Sequence, residues 1–492
     1  MYIPVRATLA ALALAAVAIA SQPPIPIPQD PAADPVPAFV GSAATPQRVR
    51  SFSVPQHPFM AANGRSNIHD DAYQTDTYVG AGPLGRAPEV RSTLQDAECG
   101  SLTFDSQGRV ITICVGVEGP VLTMIDPETL DTEATFPLPP RSGGGGGSVF
   151  SDFSGGGYFY LDQLDRVVTP TNDRQIWVVG ETDGTPGPGF ELVRMYDLSG
   201  VVAVGEGIVS ALPDWSGRLW FVTVNGLVGT VEPDSGQIAS MRLTGEAIGN
   251  SFAVDETGGV FIVSDHALYR FDAGAAGEPT VTWREEYDRG TRLKPGQTNF
   301  GSGTTPTLMR RRYVTITDNA DPQMHVLVYR RAARAAGSRL ACSEPVFAAN
   351  TGATENSLIA TWKSIIVENN YGYTGPTSVM SGATTEPGIT RIDLDPTGCH
   401  TVWTSMERVP STVSKVSLAN GLMYAYTKNP GPGSTDSWYF TAISFARGAT
   451  VYQQLVGTGL GYNNNFAPVS VGPDGAAYVG VLGGLTQIRD TP

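Results

Sequence analysis

One short phrase recurs along most of this chain and constrains its fold more than any other feature. The phrase is an apolar strand, a turn containing Gly or Asp, and a second strand rich in Val, Ile, Tyr and Phe. The clear copies are SLTFDSQGRVITICVG from Ser101, VSALPDWSGRLWFVTV from Val209, SFAVDETGGVFIVSD from Ser251 and PVSVGPDGAAYVGVLG from Pro468. Weaker copies begin at Val167, Thr305, Ser357 and Lys415. The sequence therefore predicts eight similar β units.

The spacing of the copies indicates how the units assemble. Residues 98–492 allow about 49 residues per copy, within the range of about 40–50 that is typical of a propeller blade. A four-stranded blade cannot bury both faces alone, so neighbouring blades must pack around a closed ring. The 57 Gly and 37 Pro suit the many turns that this architecture needs. We predict an all-β β-propeller of eight four-stranded blades, with seven as the alternative.

The chain begins with features of an exported protein. Arg6 precedes an apolar stretch that ends in Ala18-Ile19-Ala20, the small-residue pattern read by signal peptidase. At about 14 residues the stretch is shorter than the roughly 20 that a membrane span needs. We expect a signal peptide at 1–20, a Pro-rich linker at 21–48, a segment lying on the propeller at 49–97 and the propeller at 98–492. The protein is predicted to be secreted or periplasmic, without a membrane span.

The charge of the chain limits its partners. With 32 Lys and Arg against 47 Asp and Glu, the formal net charge is −15. Phosphate backbones and anionic lipid would repel such a chain, so neither nucleic acid nor a membrane surface is an expected partner. A small-molecule or oligosaccharide ligand is expected instead.

Four cysteines in an exported chain predict two disulfides. Cys99 and Cys114 flank a hairpin whose turn is DSQG, and the midpoint of the pair is also the midpoint of that turn. The two residues should therefore face each other across an antiparallel ladder, within disulfide distance. We predict the pairs Cys99–Cys114 and Cys342–Cys399.

With these repeats, the chain resembles the secreted or periplasmic β-propellers grouped as quinoprotein-like, YVTN-like and gluconolactonase-like. The resemblance covers about residues 98–492 and rests on the repeated phrase that any propeller needs. These families host unrelated functions, so the resemblance implies a fold and not a reaction. The Trp-docking repeats and adjacent-Cys motif of quinoprotein dehydrogenases are not evident, and a PQQ cofactor is not expected.

Polar residues are predicted to gather at one mouth of the central channel. We call the first two strands of a blade A and B, with A nearest the central channel. The two strands are antiparallel, so the start of A and the end of B lie on the same face of the ring. The polar residues at A starts are Glu98, Glu206, Asn250, Asn299, Glu355, Asn356 and Asn463 to Asn465, and those at B ends include Asp265, His266, Asp318, Glu368 and Asn369. Asn250 and Asn465 are expected to bind ligand, with Tyr371 forming part of a wall.

Oxygen-rich clusters of this kind are what Ca²⁺ requires. Gluconolactonase-like propellers hold a divalent cation with Glu, Asn and Asp at a similar place. That resemblance implies Asp318, Glu355, Asn356 and Asn369 as candidate ligands. The alternative is that Asn and Asp stand there because they start strands and tolerate turn backbones.

The segment from His57 to Arg86 is dense in specific polar residues and is expected to lie across one face of the ring. If it covers the polar mouth, His69 can act as a general base or metal ligand oriented by Asp70 or Asp71. Asn67 and Asp70 would then contact ligand. The alternative is a structural plug whose His caps a turn. His266 is a second acid–base candidate, or else an ordinary loop histidine.

Two functions stay open on sequence alone. As an enzyme, the protein would carry out metal-assisted hydrolysis or lyase chemistry on a lactone or carbohydrate at the polar mouth. As a non-catalytic binding or scaffold protein, it would act through outer loops such as 141–157 and 428–438.

Overall fold

The computed structural model describes residues 24–31, 36–140, 155–185, 187–431 and 435–491. The predicted signal peptide at 1–20 lies outside these ranges, as do most of the 141–157 loop and residues 432–434 of the 428–438 loop. Across the described ranges the regular structure is β apart from two short 3-10 helices. No helix there is long and apolar enough to cross a membrane.

Three strands precede the first blade, and four strands form each of blades one to four. The early strands are β1 (Phe39–Gly41), β2 (Thr77–Tyr78) and β3 (Pro88–Leu94). The strands of blades one and two are β4 (Glu98–Phe104), β5 (Val110–Gly116), β6 (Gly119–Ile125), β7 (Thr132–Pro137), β8 (Tyr160–Leu161), β9 (Val167–Pro170), β10 (Gln175–Thr182) and β11 (Gly189–Asp197). Those of blades three and four are β12 (Ile208–Pro213), β13 (Leu219–Thr223), β14 (Leu227–Val231), β15 (Ile238–Arg242), β16 (Ala253–Val254), β17 (Val260–Val263), β18 (Ala267–Ala273) and β19 (Pro279–Glu286).

The second half of the chain continues in the same way. The strands of blades five and six are β20 (Thr307–Met309), β21 (Tyr313–Thr317), β22 (Met324–Arg330), β23 (Leu340–Val346), β24 (Ile359–Ala360), β25 (Ser364–Glu368), β26 (Ile389–Asp395) and β27 (Gly398–Ser405). Those of blades seven and eight are β28 (Lys415–Ser417), β29 (Leu422–Thr427), β30 (Ser437–Ser444), β31 (Thr450–Thr458), β32 (Val469–Val471), β33 (Ala477–Val481) and β34 (Gly484–Asp490). The 3-10 helices are Pro376–Val379 and Leu460–Tyr462.

The eight sheets confirm the predicted propeller of eight four-stranded blades. In each blade the strands run from A, innermost, to D, outermost. Blade eight draws its strand D from the start of the chain, because β3 pairs with β34 over the full length from Pro88↔Asp490 to Leu94↔Gly484. The sequence interpretation placed β3 in the segment before the ring. The pairing of β3 with β34 closes the ring and covers the outer edge of β34.

Several A–B turns share one aspartate-centred hydrogen-bond pattern. In blade one, Asp105 Oδ1 accepts the backbone N–H groups of the residues two and four positions later, and Asp162, Asp214 and Asp255 do the same in blades two to four. In blade two this turn joins β8 to β9. The sequence interpretation had begun that blade at Val167, which is in β9, one strand too far from the channel.

The apolar core lies between adjacent blades. Trp220 and Phe221 of β13 are completely buried in a cluster that also includes Phe252 and Val260 of the next blade. Burial of such side chains contributes about 1.5–3 kcal/mol each. Every blade therefore depends on its neighbours for stability.

Both predicted cysteine pairs are confirmed. Cys99 and Cys114 have Cα atoms 3.9 Å apart, and Cys99 lies where the β4–β5 register shifts between Glu98 and Ser101. Cys342 and Cys399 have Cα atoms 5.8 Å apart. The second pair joins the outermost strands of blades five and six.

Part of the predicted Pro-rich linker packs against the ring. Ile27 is only 3% exposed and belongs to the core cluster of blades seven and eight. The N–H of Leu94 donates to Ile25 O at 2.6 Å, and Tyr462 O–H donates to Ile27 O at 2.9 Å. Isoleucines that alternate with prolines give this extended segment an apolar side chain to bury.

Candidate functional site

A cavity opens where the innermost strands begin, on the face for which the sequence predicted a polar mouth. Its volume is about 70 Å³, several times the ~10–15 Å³ that one water molecule needs. We call it the mouth cavity, and it is lined by Ile68, His69, Glu98, Gly100, Ser101, Ile113, Val115, Gly156, Gly157, Tyr158, Asn250, Thr305, Glu355, Ser357, Val413, Asn465 and Phe466. Most of these residues lie at or just before the first strand of a blade, so the closed ring brings them together.

The floor of the mouth cavity comes from a segment inside the channel, residues 60–78, which we call the plug. Its backbone carbonyls accept hydrogen bonds from A strands around the ring, for example from Val254 to Ala72 at 3.1 Å and from Ala360 to Thr75 at 3.0 Å. Within the plug, β2 pairs in parallel with β28 of blade seven. The plug places Ile68 and His69 in the cavity wall.

His69 has one ring nitrogen bound and one unbound. Its Nδ1 lies 3.1 Å from Asp76 Oδ1 and 2.9 Å from Ser357 Oγ. Ser357 donates its own hydroxyl proton to Asp76 Oδ2, so its oxygen can only accept from the imidazole. Nδ1 therefore carries a proton, and in the neutral imidazole Nε2 has a free lone pair. Among the described residues Nε2 has no hydrogen-bond partner, although His69 is only 3% exposed.

Ser357, His69 and Asp76 are not arranged as a nucleophilic triad. In such a triad the serine contacts one imidazole nitrogen and the acid contacts the other. Here both partners lie at Nδ1, and the Ser357 hydroxyl is committed to Asp76. Ser357 and Asp76 thus orient the ring, and Nε2 is the atom left for chemistry.

Beneath His69 lies a buried ion pair. Lys415 is fully buried and its Nζ bonds to Asp76 Oδ1 and to Ile68 O, with Asp70 Oδ1 at 3.5 Å. Burial raises the pKa of Asp70 to about 8 even though Lys415 opposes the shift. Burial also disfavours charge on Asp76, but Lys415 and His69 outweigh it and hold the Asp76 pKa below its usual value. The pair that carries charge near neutral pH is Lys415 and Asp76.

Among the residues that the structure describes, carboxyl groups and no Lys or Arg line the mouth cavity. Glu355 accepts the N–H and the hydroxyl of Thr298 at 3.0 and 2.9 Å, and burial raises its pKa to about 8 despite these bonds. Glu98 Oε2 accepts from Asn465 Nδ2 at 3.3 Å. An anionic ligand would therefore find no countercharge among these lining residues, whereas a neutral ligand needs none and a cationic ligand could pair with a carboxylate.

The plug is held in a strained backbone. Asp70, Gln74 and Asp76 have φ values of 76°, 59° and 55°, in the left-handed region that non-glycine residues rarely adopt. Phe466, in the cavity wall, has φ 61°. Such residues cost about 1–3 kcal/mol each and concentrate at functional sites.

The four predicted calcium ligands are held in separate hydrogen-bond sets. Asp318 accepts the backbone N–H of His325 and pairs with its ring, while the Asn369 amide oxygen accepts from Ala353 and Tyr371. Asn356 donates to Glu368 and to Thr412 O, and Glu355 faces Thr298. The described ranges contain no group of three or more His, Cys, Asp or Glu side chains placed to hold a metal ion. Calcium binding stays a prediction of the sequence.

The other predicted residues divide between the mouth cavity and elsewhere. His69, Asn250 and Asn465 line it. Asn67 lines a smaller adjoining cavity of about 10 Å³, the space of one water molecule. Asp70 lies under the floor with Lys415. His266 and Tyr371 are not among the lining residues, and His266 is instead bound between Asp265 at 2.8 Å and Arg289 at 3.0 Å.

Sequence reasoning did not identify the partners of His69. It expected Asp70 or Asp71 to orient the ring, whereas Asp76 and Ser357 do so. Asp71 instead accepts the backbone N–H of Tyr73 and the hydroxyl of Thr75. One feature of the sequence points to Lys415 as a residue of this site. It is one of four lysines in the chain, and it begins an innermost strand.

Comparison with known proteins does not place this chain in a family. No family model matches it. It is 28% identical over 334 residues to an uncharacterised protein of Archaeoglobus fulgidus, a match that covers 61% of this chain and 64% of the relative. The match thus spans less than two thirds of that relative's length.

Solved structures with some likeness include a protein from Lactobacillus plantarum, with a TM-score of 0.41 and 12% identity over 64% of this chain and 85% of that one. Another is streptogramin B lyase, with a TM-score of 0.36 and 12% identity over 82% of this chain and 97% of that one. At TM-scores below 0.5, neither likeness assigns this chain a function.

Proposed function

We propose that the protein is an enzyme that binds a small neutral or cationic ligand in the mouth cavity and uses His69 as a general base. The observation that carries the proposal is the unbound Nε2 of a buried histidine in a cavity wall, with its other nitrogen held by Asp76 and Ser357. An imidazole fixed in this tautomer is ready to accept a proton.

The lining indicates the chemical class of the ligand. Asn250, Asn465 and Glu98 offer hydrogen-bonding groups, and Tyr158 and Phe466 offer apolar surface. This mixture suits a hydroxylated ring such as a sugar or a lactone, which has a polar rim and an apolar face. The described part of the lining has no Lys or Arg, which disfavours phosphorylated or carboxylated ligands.

Hydrolysis of a lactone or similar ester is the reaction that these groups support best. Nε2 of His69 would take a proton from a water molecule as its oxygen bonds to the acyl carbon, and the C–O bond to the leaving alcohol would then break. The same proton would return from His69 to the alcohol. Glu355, which keeps its proton near neutral pH, could donate a hydrogen bond to the developing oxyanion.

Turnover of δ-gluconolactone and p-nitrophenyl acetate by the purified protein tests this proposal. His69→Gln should lower kcat by about 10²–10⁴-fold, the usual contribution of a general base. His400→Gln, which changes a half-exposed histidine on the outer strand of blade six, should leave kcat unchanged. Asp76→Asn should lower kcat and alter the pH profile with a smaller effect on KM, because Asp76 positions the base. Turnover that survives in His69→Gln would contradict the assignment.

A second measurement needs no substrate. The ¹⁵N NMR spectrum, recorded at a pH where the ring is neutral, should show the His69 proton on Nδ1 and none on Nε2. A proton on Nε2 would remove the lone pair on which the mechanism depends and would overturn the proposal.

A further inference from the structure

A second, larger cavity lies on the face opposite the mouth cavity. It runs between residues 47–50 and the A–B turns of blades six and seven, and its volume is about 400 Å³. The N–H of Gln47 donates to Asn420 O and that of Val49 donates to Leu418 O, both at 2.8 Å, which fixes this side of the cavity to blade seven. We call it the basic groove. Its other side is formed by Trp362, Lys363 and Phe445.

The charge of the basic groove is opposite to that of the chain. Arg48, Arg50, Lys363 and Arg391 line it, and none of the lining residues in the described ranges carries a carboxylate. Asp393, which is buried, pairs with Lys363 at 2.8 Å and with Arg391 at 2.9 Å. In a protein of net charge −15, a groove with four cations and one neighbouring carboxylate is a strong local reversal of charge.

Two arginines at this site lack countercharges. Arg50 Cζ lies 4.3 Å from the centre of the Trp362 ring, and Arg310 Cζ lies 5.3 Å from the same ring. Neither forms an ion pair within the described part of the chain, and the buried Nε of Arg310 has no hydrogen-bond partner there. The face of the Trp362 ring attracts both guanidinium groups, and their charges add to the positive potential of the basic groove.

We propose that the basic groove binds a small organic or inorganic oxyanion, with Arg48 and Arg50 holding its oxygens and Trp362 contacting its body. Guanidinium groups recognise carboxylate, sulfate and phosphate through paired N–H···O bonds. This site is independent of the mouth cavity and takes ligands of the opposite charge. The two faces of the ring are therefore selective for different chemical classes.

Calorimetric titration of the full-length protein with inorganic phosphate, inorganic sulfate and benzoate tests the proposal. The titrations use about 0.1 M chloride, in which charges more than about 10 Å apart are screened. At least one probe should bind saturably. The double variant Arg48→Gln/Arg50→Gln should weaken its affinity roughly tenfold or more. Preference for the inorganic ions or for benzoate would distinguish a free oxyanion from an organic acid.

The matched control is Arg311→Gln/Arg312→Gln, which removes the same charge from the neighbouring A–B turn without altering the groove lining. Its affinity should stay within about twofold of the unmodified protein. Both double variants change exposed residues, and circular dichroism verifies that each is folded. Absence of saturable binding by all three probes, or equal losses in the two double variants, would overturn the proposal.

Tryptophan fluorescence gives a second readout. Ligand binding should displace Arg50 from the Trp362 ring and so change the fluorescence emission of Trp362. The Trp362→Phe variant should not show that change. A fluorescence response that persists in Trp362→Phe would place the bound anion elsewhere.

Discussion

At the scale of single residues, the chemistry of His69 is set by neighbours from distant parts of the chain. Asp76 is in the plug, Ser357 precedes strand A of blade six and Lys415 begins strand A of blade seven. Lys415 keeps Asp76 ionised, Asp76 holds the Nδ1 proton, and Nε2 is left as a base. The free energy of each contact depends on burial, because charges and hydrogen bonds are stronger away from water.

Buried acids with raised pKa values predict that the protein is more stable in mildly acidic than in alkaline solution. Burial raises the pKa of Asp71 to about 7, above the 3.8 of an aspartate in an unfolded chain. Between these values the folded state holds a proton that the unfolded state has lost. The free energy of unfolding therefore falls as pH rises through this window, on the order of 1 kcal/mol per pH unit for each such group, and levels off above it.

Asp71→Asn removes one of these protons, so urea unfolding from pH 5 to pH 8 should show a shallower decline than in the unmodified protein. Asp234→Asn, at an exposed turn of blade three, should leave the decline unchanged. An identical pH dependence in Asp71→Asn and the unmodified protein would contradict the raised pKa.

At the scale of elements, the aspartate at the A–B turn determines where each of the first four blades reverses. It accepts the N–H groups that the tight turn would otherwise leave unpaired. In blades one to three an Arg follows four residues later and pairs with it, as Arg166 does with Asp162 at 2.6 Å. The Asp-x-x-x-Arg spacing is visible in the sequence and locates the A–B turn of blade two. The pattern of apolar residues alone had placed the first strand of that blade one strand too late.

Asp214→Ala should be strongly destabilising. Its Oδ1 accepts from Ser216 N–H at 2.8 Å and Arg218 N–H at 3.1 Å, and its Oδ2 accepts from Nε1 of the fully buried Trp220 at 2.9 Å. Leaving a buried donor unsatisfied costs about 1–3 kcal/mol, so the total loss should be about 2–4 kcal/mol, measured as a shift in urea midpoint. Asp234→Ala in the same blade should change stability by less than about 0.5 kcal/mol. Equal effects would show that the turn pattern is not what holds the blade.

At the scale of the whole molecule, function depends on closure of the ring. β3 pairs with β34, and β33 of blade eight contacts β4 of blade one. Only in the closed ring do Glu98 of blade one, Asn465 before blade eight and Glu355 before blade six line one cavity. The plug then sets the depth of that cavity.

Gly480→Ala tests the closure. A Cβ at this position would lie 1.9 Å from Cys99 O of blade one, so the two blades would have to separate. Overpacking of this kind costs about 1–3 kcal/mol, and a lower melting temperature should be accompanied by loss of ligand binding in the mouth cavity. Gly200→Ala has nothing within 4 Å of its added Cβ and should preserve both properties. Unchanged stability in Gly480→Ala would show that blades one and eight can shift apart at little cost.

The sequence by itself determined the eight blades and the Cys99–Cys114 disulfide, and it left one partner each for Cys342 and Cys399. The blades and the first disulfide follow from local patterns, since alternating apolar residues, turn formers and cysteines symmetric about a hairpin carry their meaning within a few residues. The tertiary structure alone decided that Asp76 and not Asp71 orients His69 and that β3 closes blade eight. Those outcomes depend on which distant side chains share a desolvated space, and that is fixed only when the ring closes around the plug.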